Sequence, residues 1–188
     1  MKIFVSGGCK NGKSYFAQRL SKMPQTEQLY YVATMASVDD EDDERIARHK
    51  LEREGWGYIT IEQPTCIENI LLQCDPDGSY LLDSVTALLA NEMFSSGASD
   101  SGPDAMAAKR IIGGLEQILS TVEHIVIVSD YIYSDAMIYD ELTELYRKSL
   151  AQIDRAAAKA CDVVLEVAYS AVIVHRAPLG LELPIFND

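Results

Sequence analysis

Residues Gly7 to Ser14, GGCKNGKS, match the spacing G-x-x-x-x-G-K-S, and the chemistry of that spacing is phosphate binding. Glycines at both ends let the backbone N–H groups from Gly7 through Gly8, Cys9, Lys10, Asn11 and Gly12 turn inward around phosphate oxygens. Cys9, Lys10 and Asn11 fill unconstrained positions of the loop. Lys13 is expected to reach the β- and γ-phosphates, and Ser14 to set its hydroxyl on Mg²⁺. The apolar run Ile3–Phe4–Val5–Ser6 before the loop reads as a buried strand, and the pattern from Tyr15 to about Met23, closed by Pro24, reads as a helix.

A second group with possible chemistry lies in ERIARHKLERE, residues 44–54. Arg45, His49 and Arg53 recur every four residues, so a helix would carry all three on one face. Two guanidinium groups flanking an imidazole would favour the neutral, nucleophilic ring and hold phosphate oxygens by charge-assisted hydrogen bonds. The same spacing also suits a surface histidine with no such role. The preceding DDEDDE, residues 39–44, is either a solvated first turn at the positive end of a helix dipole or a Mg²⁺ contact.

These residues need strands and helices to position them. LYYVAT (29–34), YITIE (58–62), YLLDS (80–84), HIVIVSD (124–130), VVLEVA (163–168) and AVIVH (171–175) read as strands. Helical patterns occupy about 39–54, a short stretch from Thr65, 85–95, 104–121 and 139–160, with SSGASDSGP (95–103) as a connection and a loosely held tail after Pro178. Strands alternating with helices predict an α/β fold: a P-loop NTPase-like three-layer sandwich, its sheet mostly parallel and finished by a C-terminal antiparallel hairpin, as one domain over 1–188. Ligands then sit at the carboxyl ends of the strands, where Asp83 ends one strand as an acid able to hold Mg²⁺. Glu62 ends another, as an acceptor for a guanine or ribose edge or as a solvated strand end.

Composition narrows the partners. The 188 residues carry 48% hydrophobic and 24% charged side chains with a net charge of −13, which argues against nucleic acid or an anionic membrane surface. Cys9, Cys66, Cys74 and Cys161 have no C-x-x-C spacing, so reduced thiols in a cytoplasmic protein are the expectation. The N-terminus does not read as a signal peptide, and no apolar run approaches a membrane span.

The segments VSGGCKNGKSYFAQRL, YVATMASVDDEDDERIARHK and YLLDSVTALLANEMF together resemble the bifunctional adenosylcobinamide kinase / adenosylcobinamide-phosphate guanylyltransferase family of cobalamin biosynthesis, through nearly the first hundred residues. The resemblance implies that His49 carries GMP covalently, that Gly7 to Ser14 bind a triphosphate, and that Thr34, Lys50, Arg53, Glu62 and Asp83 surround the nucleotide. It further implies GTP and ATP as substrates, Mg²⁺, a corrinoid acceptor and a homotrimer. Beyond residue 128 the chain departs from the family: SDYIYSDAMIYDEL (129–142) replaces an Asn-Glu-Val-Gly segment with a following proline, Ala151 a glycine and Asp154 an asparagine. The acceptor-facing half is therefore expected to be altered. Two other readings of the chain are a plain P-loop small-molecule kinase and a catalytically altered nucleotide-binding paralogue.

Overall fold

A computed structural model describes residues 1–37, 44, 46–48, 50–51, 53–94, 102–133 and 136–183. Among the described residues seven strands form one sheet: β1 (Lys2–Gly7), β2 (Leu29–Ala33), β3 (Ile59–Glu62), β4 (Ser79–Asp83), β5 (His124–Asp130), β6 (Val163–Ala168) and β7 (Ala171–Arg176). Their order is β3-β2-β4-β5-β1-β6-β7. Every neighbouring pair is parallel except β6–β7, which is antiparallel. The central strands are apolar on both faces because helices cover both, as a parallel sheet requires.

The helices are α1 (Lys13–Ser21), α2 (Val85–Phe94), α3 (Ala107–Thr121) and α4 (Glu141–Ala160), with a 3-10 helix over Ile67–Leu72 where the sequence predicts a short helix. Side-chain alternation along the strands divides the core in two. On one face Ile3, Val5, Tyr31, Leu81, Val126, Val128 and Leu165 pack against Phe16, Ala17 and Leu20 of α1. On the other, Phe4, Val32, Leu82 and Ile127 meet Leu88 and Leu89 of α2, Ile111 and Leu115 of α3, and Leu150 and Ile153 of α4. The result is the expected three-layer α/β arrangement.

Several boundaries differ from expectation for identifiable reasons. Helix α1 begins at Lys13, two residues before Tyr15, because Gly12 adopts φ +84 and acts as its N-cap. It ends at Ser21. Helix α4 begins after Asp140, whose side chain accepts a hydrogen bond from the Thr143 N–H. The tail past Pro178 is not loose throughout: Leu179 is exposed, whereas Leu181 and Leu183 pack against the α1-side core. In the predicted 39–54 helix, residues 44, 46–48, 50 and 51 are helical, whereas Asp39 to Asp43, Arg45 and His49 lie outside the described residues.

Candidate functional site

The phosphate loop joins β1 to α1 at the carboxyl end of the sheet's middle. Gly7 is obligatory there: a Cβ would collide with the Val167 carbonyl oxygen of β6 and lie 2.9 Å from Lys13 Cδ. Asn11 Nδ2 donates to the same Val167 oxygen at 3.4 Å, so the loop is seated against β6. Cys9 and Lys10 are exposed, Gly8, Asn11 and Ser14 are part-exposed, and the Phe16 N–H donates to the Gly12 carbonyl at 3.1 Å to start the helix ladder.

Lys13 is buried, and its ammonium donates to the Gly8 carbonyl at 2.6 Å and to Asp130 Oδ1 at 2.6 Å. Asp130 was not among the residues picked out from sequence. It ends β5, opposite Gly7 in the parallel register, and β5 lies between β1 and β4. A signal for it existed, since HIVIVSD ends an apolar strand in an acid just as YLLD does. Asp83 and Asp130 share parity with Leu81 and Val128, so both sit on the face that α1 covers. Asp83 stands opposite Val128, which places Asp130 two residues further along, about 6.6 Å at the usual strand rise.

Around Asp83 the structure assembles Arg53, also expected from the sequence, and Tyr31, which no sequence pattern singles out. Tyr31 Oη donates to Asp83 Oδ2 at 2.7 Å, and the Arg53 guanidinium lies 3.7 Å from the Tyr31 ring centroid. Burial and then the neighbouring Asp83 carboxylate push the Tyr31 hydroxyl far above its ordinary range, so it stays protonated and donating. Arg53 is itself buried, which makes it a stacked anchor tying the chain just after Leu51 to β2 and, through Tyr31, to Asp83. Arginine suits this position because its planar cation can be desolvated against a ring.

The remaining predicted residues divide between brace and surface. Thr34 is fully buried; its hydroxyl donates to the Ser84 carbonyl at 2.7 Å and accepts from the Ser84 N–H at 2.8 Å. It thereby clamps the end of β2 to the end of β4, and Asn91 Nδ2 holds its carbonyl at 2.7 Å. Lys50 and Glu62 pair with each other at 3.1 Å on the surface. Lys50 and Arg53 also border an open cleft of about 490 Å³ with Gly55, Gly57, Tyr58 and Thr60.

Mg²⁺ would find hard oxygen donors in the Ser14 hydroxyl and the Asp83 carboxylate. Among the described residues no three His, Cys, Asp or Glu side chains converge on one point. A protein-only cage is not what Mg²⁺ needs when substrate phosphates and waters complete its shell, so the donor set fits.

The segment that departs from the resemblance is tied down in its described part. Arg147 Nε donates to the Ile132 carbonyl at 3.1 Å, and Tyr133 Oη to Asp154 Oδ2 at 2.8 Å. Asp154 is buried, and that burial raises its carboxyl to about 6 despite the opposing influence of the nearby Ser129 hydroxyl and the hydrogen bond from Tyr133. Tyr133 and Asp154 thus supply side-chain tethers in a stretch that has neither glycine nor proline to shape it.

Comparison with known proteins adds the deciding observation. The model of the cobinamide kinase / cobinamide phosphate guanyltransferase family matches residues 3–173. The chain belongs to that family. The bifunctional adenosylcobalamin biosynthesis protein of Salmonella typhimurium is 27% identical over 180 residues, covering 87% of this chain and 93% of that protein. Its counterpart in Escherichia coli is 34% identical over 106 residues, covering 55% of this chain and 56% of that one. A solved protein of Pyrococcus horikoshii OT3 shares the fold alone, with a TM-score of 0.50 at 8% identity across 99% of this chain and 93% of its own. The family match runs through residues 129–142, so the departures there lie within the family's span.

Proposed function

We propose that this protein phosphorylates adenosylcobinamide and then transfers GMP from GTP to the resulting phosphate. The observation carrying this reading is that one family match, residues 3–173, takes in both the phosphate loop and the His49 segment. Acting as one domain over 1–188, the chain would bind nucleotide with Gly7, Gly8, Cys9, Lys10, Asn11, Gly12, Lys13 and Ser14 around the phosphates. Thr34, Lys50, Arg53, Glu62 and Asp83 would surround the rest of the nucleotide, as the family resemblance implies, with Thr34 and Arg53 also bracing the ends of β2 and β4. Support for the bracing roles comes from the Thr34–Ser84 and Arg53–Tyr31–Asp83 contacts.

In the kinase step the acceptor hydroxyl oxygen bonds to the γ-phosphorus of ATP or GTP, the β–γ bridging oxygen leaves with the diphosphate, and the hydroxyl proton is released. Lys13 holds the charge that develops on the transferred group. Mg²⁺, held by Ser14 and Asp83, would neutralise phosphate charge when bound. In the second reaction a neutral His49 nitrogen bonds to the α-phosphorus of GTP and pyrophosphate departs; a phosphate oxygen of the corrinoid then displaces the imidazole and takes GMP. Two separate displacements at one phosphorus give ping-pong kinetics.

No described helix is long and apolar enough to cross a membrane. The charge of −13 argues against nucleic acid as a partner; the homotrimer follows from the family resemblance, and a cytoplasmic location from the absence of any C-x-x-C pattern among the four cysteines. Incubation with GTP and adenosylcobinamide tests the reading. The expected products are adenosylcobinamide-GDP, pyrophosphate and the GDP left by the kinase step; steady GTP hydrolysis with unaltered corrinoid would overturn it.

A further inference from the structure

The buried ammonium of Lys13 already has an anion. Its side chain is 5% exposed and the Asp130 side chain 29%, so the lysine is enclosed while the carboxylate still faces the open end of the sheet. Asp130 is fixed from behind: its N–H donates to Thr86 Oγ1 at 2.9 Å in the first turn of α2, and the next residue, Tyr131, donates its N–H to the Gly7 carbonyl at 3.2 Å. An ammonium has three donors, two of which are taken by Gly8 and Asp130. Contact with both a β- and a γ-phosphate needs two, so one present partner must yield. The Gly8 carbonyl belongs to the loop backbone, whereas the Asp130 carboxylate is repelled by the incoming anion.

We propose that Asp130 is an internal counter-ion of the phosphate loop, occupying Lys13 in the nucleotide-free protein and giving it up to the polyphosphate, and so setting nucleotide affinity. It is a positioning residue acting through Lys13. The proposal rests on the reading of residues 7–14 as the triphosphate site. Both effects of removing its charge have the same sign. The free protein loses a favourable pair around a desolvated cation, and the bound protein loses a repulsion. The pair keeps Lys13 ordered and compensated between turnovers, at the expense of weaker phosphate binding.

The test is calorimetric titration of the native protein, Asp130→Asn and Asp130→Glu with GTP, inorganic tripolyphosphate and GMP in EDTA. Asp130→Asn should bind GTP and tripolyphosphate about tenfold more tightly, the equivalent of about 1.4 kcal/mol, while GMP changes less than twofold and Asp130→Glu stays near native. If Asp130→Asn does not fold, Asp130→Ser carries the same expectation. Unchanged or weaker tripolyphosphate binding by the neutral variant, or equal tightening for GMP, overturns the counter-ion role. A native protein that binds neither GTP nor tripolyphosphate overturns the triphosphate site itself, and the counter-ion role with it.

Discussion

Replacing Asp154 by Asn probes how an acid is tolerated inside the α4 face of the core. The carboxyl is 3% exposed, receives Tyr133 Oη at 2.8 Å, and has Ser129, Asp130, Arg155 and Tyr146 around it. Burial raises its pKa from 3.8 to about 6, with Asp130 adding in the same direction and Ser129, Tyr133 and Arg155 opposing. A raised acid is a group that the folded state prefers protonated, so its contribution to stability is present below the unfolded value near 4 and lost as pH rises through about 6. At 1.36 kcal/mol per pH unit the difference amounts to about 3 kcal/mol of penalty by pH 8, and a little over half of that at pH 5. Asparagine keeps an oxygen for Tyr133 and cannot ionise. Urea denaturation of both proteins at pH 5 and pH 8 should therefore show Asp154→Asn more stable at pH 8, with its advantage growing by about 1–1.5 kcal/mol between the two. A variant less stable than native at pH 8, or an advantage equal at both pH values, would refute the reasoning.

Tyr31→Phe keeps the ring beneath Arg53 and removes the hydroxyl that donates to Asp83. If Asp83 helps hold Mg²⁺, the concentration of Mg²⁺ giving half-maximal transfer should rise by about tenfold, with thermal stability changed little; an unchanged Mg²⁺ requirement would count against that placement of Asp83. Gly7→Ala forces a methyl against the Val167 carbonyl and Lys13, at a cost of about 1–3 kcal/mol in stability by denaturant titration, together with at least tenfold weaker GTP binding by about the same reasoning. Normal stability and affinity would mean the loop is not seated against β6 as described.

The phosphate loop was legible in the sequence because its constraints are local: glycine where a Cβ has no room, glycine where φ is positive, and a lysine at fixed distance from both. The strands were legible because a parallel sheet covered on both faces demands uninterrupted apolar runs such as HIVIV and YLL. What the residue types did not disclose is how polar groups are used once buried. The family resemblance implies that Thr34 and Arg53 surround the nucleotide; their described contacts are to Ser84 and Tyr31, and no spacing rule separates a bracing hydroxyl or a stacked guanidinium from one that meets ligand. Asp130 was overlooked for a related reason. Its partner Lys13 is 117 residues away, and only the placement of β5 beside β1 brings the two together. The strand-terminal acid rule that singled out Asp83 would have found it.

The most direct test of the account is α-labelled GTP incubated with the native protein and with His49→Ala, followed by denaturation in acid and in alkali. Native protein should retain one label that survives alkali and is lost in acid, as a phosphorus–nitrogen bond to imidazole requires, and His49→Ala should bind GTP without retaining label. Label of equal yield on the His49→Ala protein, or none on the native enzyme while GMP transfer proceeds, would contradict the histidine-borne intermediate.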